Sequence, residues 1–274
     1  MCIRDSIIMI DKIPEDVKFD LVISHSRFGQ YPVAQKIAQK LDIPHIWLEH
    51  TTPLKQWLDM PQYLDSLVKS NMANTKLFIS KDSQRKWHFD DTNSIVIEHG
   101  VDTEFFSGYI GGNVVLNVVK DWKNRGEILG YDKWFEIVGD LPYKILGNNP
   151  GLSERTKSRE ELLKAYQTAG VFLNTTVYSP IPCVVLEAMS VGVPVVSTAT
   201  CAIPEYIEDG VNGFISNDTE YLKEKVHWCL EHPEEAKAIG QKARQTILDK
   251  CNLDRYVKKW EEIIRSTVEE FEGW

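Results

Sequence analysis

One glutamate stands alone in an apolar run. From Ser179 to Thr198 the chain reads SPIPCVVLEAMSVGVPVVST, and Glu187 is its one charged residue. Such a run belongs in a core, where an ionised carboxylate is costly unless something pairs with it. The pattern predicts a helix over about 180–191. Ser179 suits a cap, Pro180 fits a first turn and Gly192 is a stop signal. Glu187 then lies about two turns in, among Val184, Leu186 and Met189. On the residues alone two explanations stay open. The carboxylate reaches the surface or a nearby Lys or Arg, or it accepts hydrogen bonds from a diol on a ligand. In the second case the backbone N–H groups at 180–184 would meet an anion. One helix would then hold a hydroxyl pair and a phosphate together, which is the shape of a nucleotide.

Such a helix needs a sheet beside it. Short β-branched runs recur along the chain: IIMI (7–10), LVIS (21–24), HIWLE (45–49), KLFIS (76–80) and SIVI (94–97). After a Gly-rich turn, GYIGG (108–112), a second series reads NVVLNVV, WFEIV (134–138), YKIL, GVFLN, VPVVST and GFIS. Helical patterns lie between them. In YPVAQKIAQKL, Ala34, Ile37, Ala38 and Leu41 share a face, and EELLKAYQTA (160–169) is another. Strands alternating with helices predict parallel sheets covered on both faces. The turn at 108–112 divides them into two α/β domains with a cleft between. The end of the chain is helical over 219–230, 234–250 and 255–271, each with an apolar stripe.

Composition narrows the classes. The 274 residues are 43% hydrophobic and 26% charged, as in a soluble globular protein. A net charge of −9 argues against a general nucleic-acid binder or a surface held by anionic lipid. Five cysteines, with no CxxC pair, read as reduced thiols of a cytoplasmic protein. No run approaches the ~18 apolar residues of a transmembrane helix. The opening MCIRDS lacks a signal-peptide layout and reads as a foreign leader on a fragment. No Gly-x-Ser-x-Gly elbow, His-Glu-x-x-His, P-loop or Asp-x-Asp appears, and no Cys/His spacing suggests zinc.

VLEAMSVGVPVVST resembles the C-terminal signature of the GT-B glycosyltransferases, in particular the retaining group called family 4. That group reads roughly Glu-Gly-Phe-Gly-Leu-x-x-Leu-Glu-Ala-Met-Ala-x-Gly-x-Pro-Val-Val. IPEYIEDGVNGFIS (203–216) resembles its next loop. The resemblance implies that Glu187 binds the ribose hydroxyls of a nucleotide-sugar donor and that backbone near Cys183 and Val184 approaches the phosphates. It also shows a departure. The family's first glutamate falls on Ser179, and its Gly-Phe-Gly on Pro180, Ile181 and Pro182, so two N–H donors are absent. Upstream, VVKDWKNRG (118–126) resembles the family's Gly-Arg and Lys-Gly pair, with Lys120 at the Arg and Arg125 at the Lys. Two cations there would neutralise a leaving diphosphate without a metal; on the residues alone a solvated basic loop is the alternative. IEHGVDTEFF (97–106) resembles the domain crossing. IPHIWLEHTTP (43–53) resembles the acceptor-side strand whose loop His, here His50, lies by the donor sugar and the acceptor hydroxyl; His25 is its competitor. Gly147, Asn148 and Asn149, after YKIL, are expected to meet the base.

The expectation is therefore a GT-B fold of two Rossmann-like doubly wound domains: 1–108 on the acceptor side and lacking its first strands, 109–254 for the donor, and a helix over 255–274 returning to the first. The implied activity is retaining transfer of a hexose from a UDP-, GDP- or ADP-linked sugar to a hydroxyl of a glycan, lipid or small molecule. Catalysis falls to His50, Lys120 and Arg125, and donor binding to Glu187, Ser179, Cys183, Val184, Gly147 and Asn148. No metal or separate cofactor is expected, nor a nucleic-acid partner; peripheral membrane contact is compatible. Two rivals are a nucleotide-sugar epimerase on the same fold and a non-catalytic nucleotide-sugar-binding module. Release of free nucleoside diphosphate, with and without an acceptor, separates them.

Overall fold

A computed structural model of the chain describes residues 18–272. The leader MCIRDS and the run IIMI lie outside the described residues. Nine strands, all parallel to their neighbours, form two sheets among those residues. The first has the order β1 (Val22–Ser26), β2 (His45–Glu49), β3 (Thr75–Phe78), β4 (Ile95–Val96). The second comprises β5 (Val115–Val118), β6 (Tyr143–Leu146), β7 (Val171–Asn174), β8 (Val195–Ser197) and β9 (Phe214–Ile215), in the order β6-β5-β7-β8-β9. The fully buried β2 and β7 are what a parallel strand covered on both faces requires. In the second sheet the order reverses at β5. The chain runs outward one way to β6 and then returns past β5 to β7. Ligands of open α/β sheets lie beyond the carboxyl ends of the strands at such a reversal, here β5 and β7.

Two local expectations are corrected. WFEIV is not a strand but the second half of a helix, Tyr131–Val138. Its aromatic and β-branched content suggests a strand, yet Trp134, Ile137 and Val138 are spaced for one helical face and all three are buried. The helix expected from 180 begins at Cys183 and runs to Val191. Pro182 is its N-cap, in extended conformation, and gives no side-chain cap. A residue before proline is driven out of the α region, so Pro180 and Pro182 keep Ser179 and Ile181 out of the helix. The stop at Gly192 is as expected, with φ +95.

One apolar cluster links the two sheets. It joins Ile46, Leu48 and Leu77 of the first sheet, with Ile97 just beyond it, to Leu116 and Phe172 of the second and to Val185 and Met189 of the helix Cys183–Val191. The crossing is fixed on the C-terminal helices. Val101 N–H donates to Cys251 O at 2.7 Å, and the space beside Gly100 is filled by the Tyr256 ring. The last helix, Leu253–Glu272, reaches back to the first sheet: Thr267 Oγ1 lies 2.6 Å from Thr75 Oγ1, and Lys259 Nζ donates to Val96 O at 2.6 Å. On the opposite side Glu205 accepts from the N–H groups of Lys81 and Asp82, at 3.1 and 2.7 Å. The Tyr178 hydroxyl donates to Pro53 O, with the ammonium groups of Lys55 and Lys86 each 5.5 Å from its ring centroid. No described helix is long and apolar enough to cross a membrane.

Candidate functional site

A cleft of about 210 Å³ opens at the carboxyl ends of β5 and β7. Lys120, Arg125, Ser179, Cys183 and Val184, five of the residues singled out in the sequence, line it together. Asn117, Asn174 and Thr176 line it too and were not expected. The signal for the two asparagines was present: both strand runs, VLN and FLN, bring an Asn to the end that faces a ligand in this topology.

The two cations sit on an anchored loop. Trp122 is fully buried, packed edge-on against Trp134 at 5.3 Å, and its indole N–H donates to Leu129 O at 3.1 Å. Its backbone N–H donates to Asn149 Oδ1 at 2.9 Å. Asp121 takes a left-handed φ of +54 to make the bend, and Arg125 N–H closes the turn on Asp121 O at 3.2 Å. Lys120 and Arg125 therefore leave a rigid frame on either side of a buried tryptophan. Opposite them stands the start of the helix Cys183–Val191, whose first-turn N–H groups and axial dipole favour negative charge. Nothing acidic is among the lining residues.

Glu187 does not line this cleft. Its Oε2 accepts a 3.0 Å hydrogen bond from the fully buried Tyr166 hydroxyl, which also lies 3.3 Å from Val184 O. Burial raises the carboxyl pKa, the Tyr166 bond lowers it, and the Arg159 guanidinium also favours the ionised form. Arg159 is held by Asp102 at 3.3 Å and by the Phe105 ring, 4.2 Å from its centroid. The lone carboxylate thus has a partner 21 residues upstream, beyond any local spacing rule. Gly147 and Asn148 lie beyond the cleft lining as well. Gly147 (φ +118) packs against Val119, and Asn148 is exposed, its carbonyl accepting from Asp121 N–H at 3.1 Å.

His50 ends β2, apart from this cleft lining, and His25 is its direct neighbour. His25 Nδ1 lies 3.0 Å from His50 Nε2, with the rings 14° apart. His99 from the crossing is parallel to His50 within 12° at 6.3 Å. A hydrogen bond between neutral imidazoles needs one donor and one acceptor, so the His25 and His50 tautomers are coupled. The described residues hold no group of three metal-ligating side chains disposed to bind an ion.

Burial pushes the pKa values of His45, His50 and His99 down to about 4, and that of His25 down as well. Their ordinary value is near 6.5, so between pH 6.5 and 4 the unfolded chain binds protons that the folded chain refuses. Stability is full above that window and falls as pH drops through it. Burial raises the Glu49 and Glu187 carboxyls and acts in the opposite sense, but the histidines outnumber them. Melting temperatures measured from pH 7.5 to 4.5 should decline steadily; a flat or rising series would show these imidazoles already protonated in the folded protein.

The model of the family described as Glycosyl transferases group 1 matches residues 146–246. Trehalose synthase of Pyrococcus horikoshii is 30% identical over 138 residues, which are 50% of this chain and 32% of that protein. The chain thus spans about a third of the length of that relative. The uncharacterized glycosyltransferase MJ1178 of Methanocaldococcus jannaschii is 22% identical over 264 residues, covering 85% of this chain and 72% of that one. Among solved structures, Anabaena HepE in complex with UDP superposes with a TM-score of 0.75 at 17% identity, over 90% of this chain and 79% of that one. Sucrose-phosphate synthase from Thermosynechococcus elongatus gives 0.73 at 15%, over 90% and 73%. These likenesses establish the GT-B fold.

Proposed function

We propose that the chain, which matches the group 1 glycosyl transferase model over residues 146–246 and has a GT-B fold, is a retaining hexosyltransferase. It moves a hexose from a nucleoside-diphosphate sugar to an acceptor hydroxyl. The observation that carries this reading is the cleft at the β5/β7 reversal, where Lys120, Arg125 and a helix start face one another with no acidic residue among the lining. As the bond from the sugar to the diphosphate breaks, negative charge grows on the leaving oxygen. Two fixed cations and a helix dipole stabilise that charge more in the transition state than in the ground state. His50, with its Nε2 engaged by His25, is the candidate to orient the acceptor hydroxyl. Division at 108/109, with residues 255–272 returning to the first unit, leaves the whole donor cleft in the second unit. An epimerase would need an acid and a base at the sugar, and the cleft lining supplies no carboxylate or imidazole. The donor base is proposed as uracil, because HepE was solved with UDP and UDP-glucose.

The test is a thermal-shift series with UDP, GDP and ADP on wild type and Glu187→Gln. A nucleotide at 100 times its Kd stabilises by about 2.7 kcal/mol, a shift of several degrees at this size. Wild type should be stabilised by UDP. Glu187→Gln keeps an acceptor for Tyr166 but loses the charge; if Glu187 accepts the ribose hydroxyls, the role the resemblance implies for it, its shift should shrink. If no nucleoside diphosphate stabilises wild type, the reading is wrong.

A further inference from the structure

Of three buried asparagines, Asn117 and Asn174 on the cleft and Asn149 behind its cationic loop, two are spoken for inside the protein. Asn174, at the end of β7, donates to Ser197 Oγ and accepts from Thr176 Oγ1, both at 2.8 Å. Asn149 accepts from Trp122 N–H and donates to Val119 O and Ser153 Oγ. Asn117, on β5, differs. It is 5% exposed, it lines the cleft beside Lys120 and Arg125, and its carboxamide has no hydrogen-bond partner among the described residues. Its polar atoms are not among the fully buried ones that lack a partner, so the carboxamide is open to the cleft and free to pair with what enters it. The apolar strand run VVLNVV does not itself call for a polar residue at this position.

The chemistry of the surroundings says what completes it. Two cations and a helix start select an anion. A third cation at 117 would repel the other two, and an aspartate would pair with them and close the site. A carboxamide does neither, and its NH₂ group donates to an anionic oxygen. We propose that Asn117 is a donor-contacting residue that hydrogen-bonds a diphosphate oxygen between Lys120 and Arg125. This rests on the reading of the cleft as a nucleoside-diphosphate site and adds to it a neutral ligand contact from the strand itself.

The prediction separates stability from binding. Replacement of a carboxamide that bonds to nothing else in the protein by an apolar side chain of similar size should leave the ligand-free protein about as stable or more so, whereas a structural asparagine would be missed. The experiment compares wild type with Asn117→Leu, Asn117→Ala and Asn117→Asp. It reads ligand-free melting temperature and calorimetric titration with UDP, GDP, ADP and inorganic pyrophosphate. The expected result is an unchanged or raised melting temperature for Asn117→Leu, with binding of both pyrophosphate and the preferred nucleotide weakened about tenfold, the loss of one charge-assisted hydrogen bond. Asn117→Asp should weaken both by more, through repulsion of the phosphates. If leucine does not fit the space, Asn117→Ala carries the same comparison without added bulk. Lowered melting with wild-type affinity would make Asn117 structural and overturn the proposal. So would loss of nucleotide affinity with pyrophosphate unchanged, because the contact would then lie elsewhere on the nucleotide. If wild type binds neither pyrophosphate nor any nucleotide, the donor-site reading falls and Asn117 with it.

Discussion

Alanine at both Lys120 and Arg125 is expected to lower the rate of sugar transfer by about three orders of magnitude while leaving the fold intact. The basis is the differential character of the contact. Removal of one preorganised group that meets developing charge costs about 10²–10³ in rate, and two groups acting on one diphosphate are not simply additive. Both side chains stand on a loop held by buried Trp122, Asn149 and the Asp121 turn, so truncation removes charge without removing the frame. Lys123 lies between them in sequence but is exposed and outside the cleft lining, which makes Lys123→Ala the internal control. The measurement is the initial rate of nucleoside-diphosphate release at saturating donor and acceptor. A general field effect of a basic loop would make all three lysine and arginine variants similar. A transition-state contact makes Lys120→Ala and Arg125→Ala slow and Lys123→Ala close to wild type. The exchanged pair Lys120→Arg with Arg125→Lys should recover much of the rate, because charge is kept at both positions and only fork geometry changes.

Most strands were legible because parallel strands buried on both faces are short apolar runs with no competing pattern. VLNV, VFLN and HIWLE needed no tertiary information. The helix Tyr131–Val138 was not legible from composition, since Trp, Phe, Ile and Val weigh toward a strand; the spacing of Trp134, Ile137 and Val138 was the better guide. Proline chemistry set the start of the helix Cys183–Val191, where a serine and a proline three residues upstream had suggested it. At the site, the residues that share the cleft were singled out by the resemblance of VVKDWKNRG and VLEAMSVGVPVVST to the family's motifs. What was hidden was pairing. Tyr166 reaches Glu187 from a neighbouring helix, and Asn117 becomes notable only when the sheet order brings β5 beside β7. Neither fact is a property of a local window.

Gly147→Ala is expected to destabilise the protein by about 3 kcal/mol or more, close to 10 °C in melting temperature at this chain length, and to weaken nucleotide binding as a consequence. Gly147 has φ +118, outside the left-handed well that other residues visit, and a Cβ there would lie 1.9 Å from the Val119 carbonyl oxygen. That oxygen cannot yield freely, because it accepts from Asn149 Nδ2 at 2.9 Å, while Val119 N–H donates to Leu146 O at 2.9 Å. Asp121 and Trp122 are tied to the same loop through Asn148 O and Asn149 Oδ1. Relief of the clash must therefore move the segment 119–122, and Lys120 moves with it. Gly151 supplies the comparison, because it has φ +76 with nothing within 4 Å of its Cβ position. Gly151→Ala meets the backbone penalty alone, about 1 kcal/mol, and leaves Lys120 in place. Thermal melts and nucleotide titrations of the two variants distinguish the two roles open to Gly147. Lost stability together with lost affinity makes it the spacer that sets the position of Lys120. Lost affinity at wild-type stability would make it a direct contact to the base, the role its place after YKIL suggests.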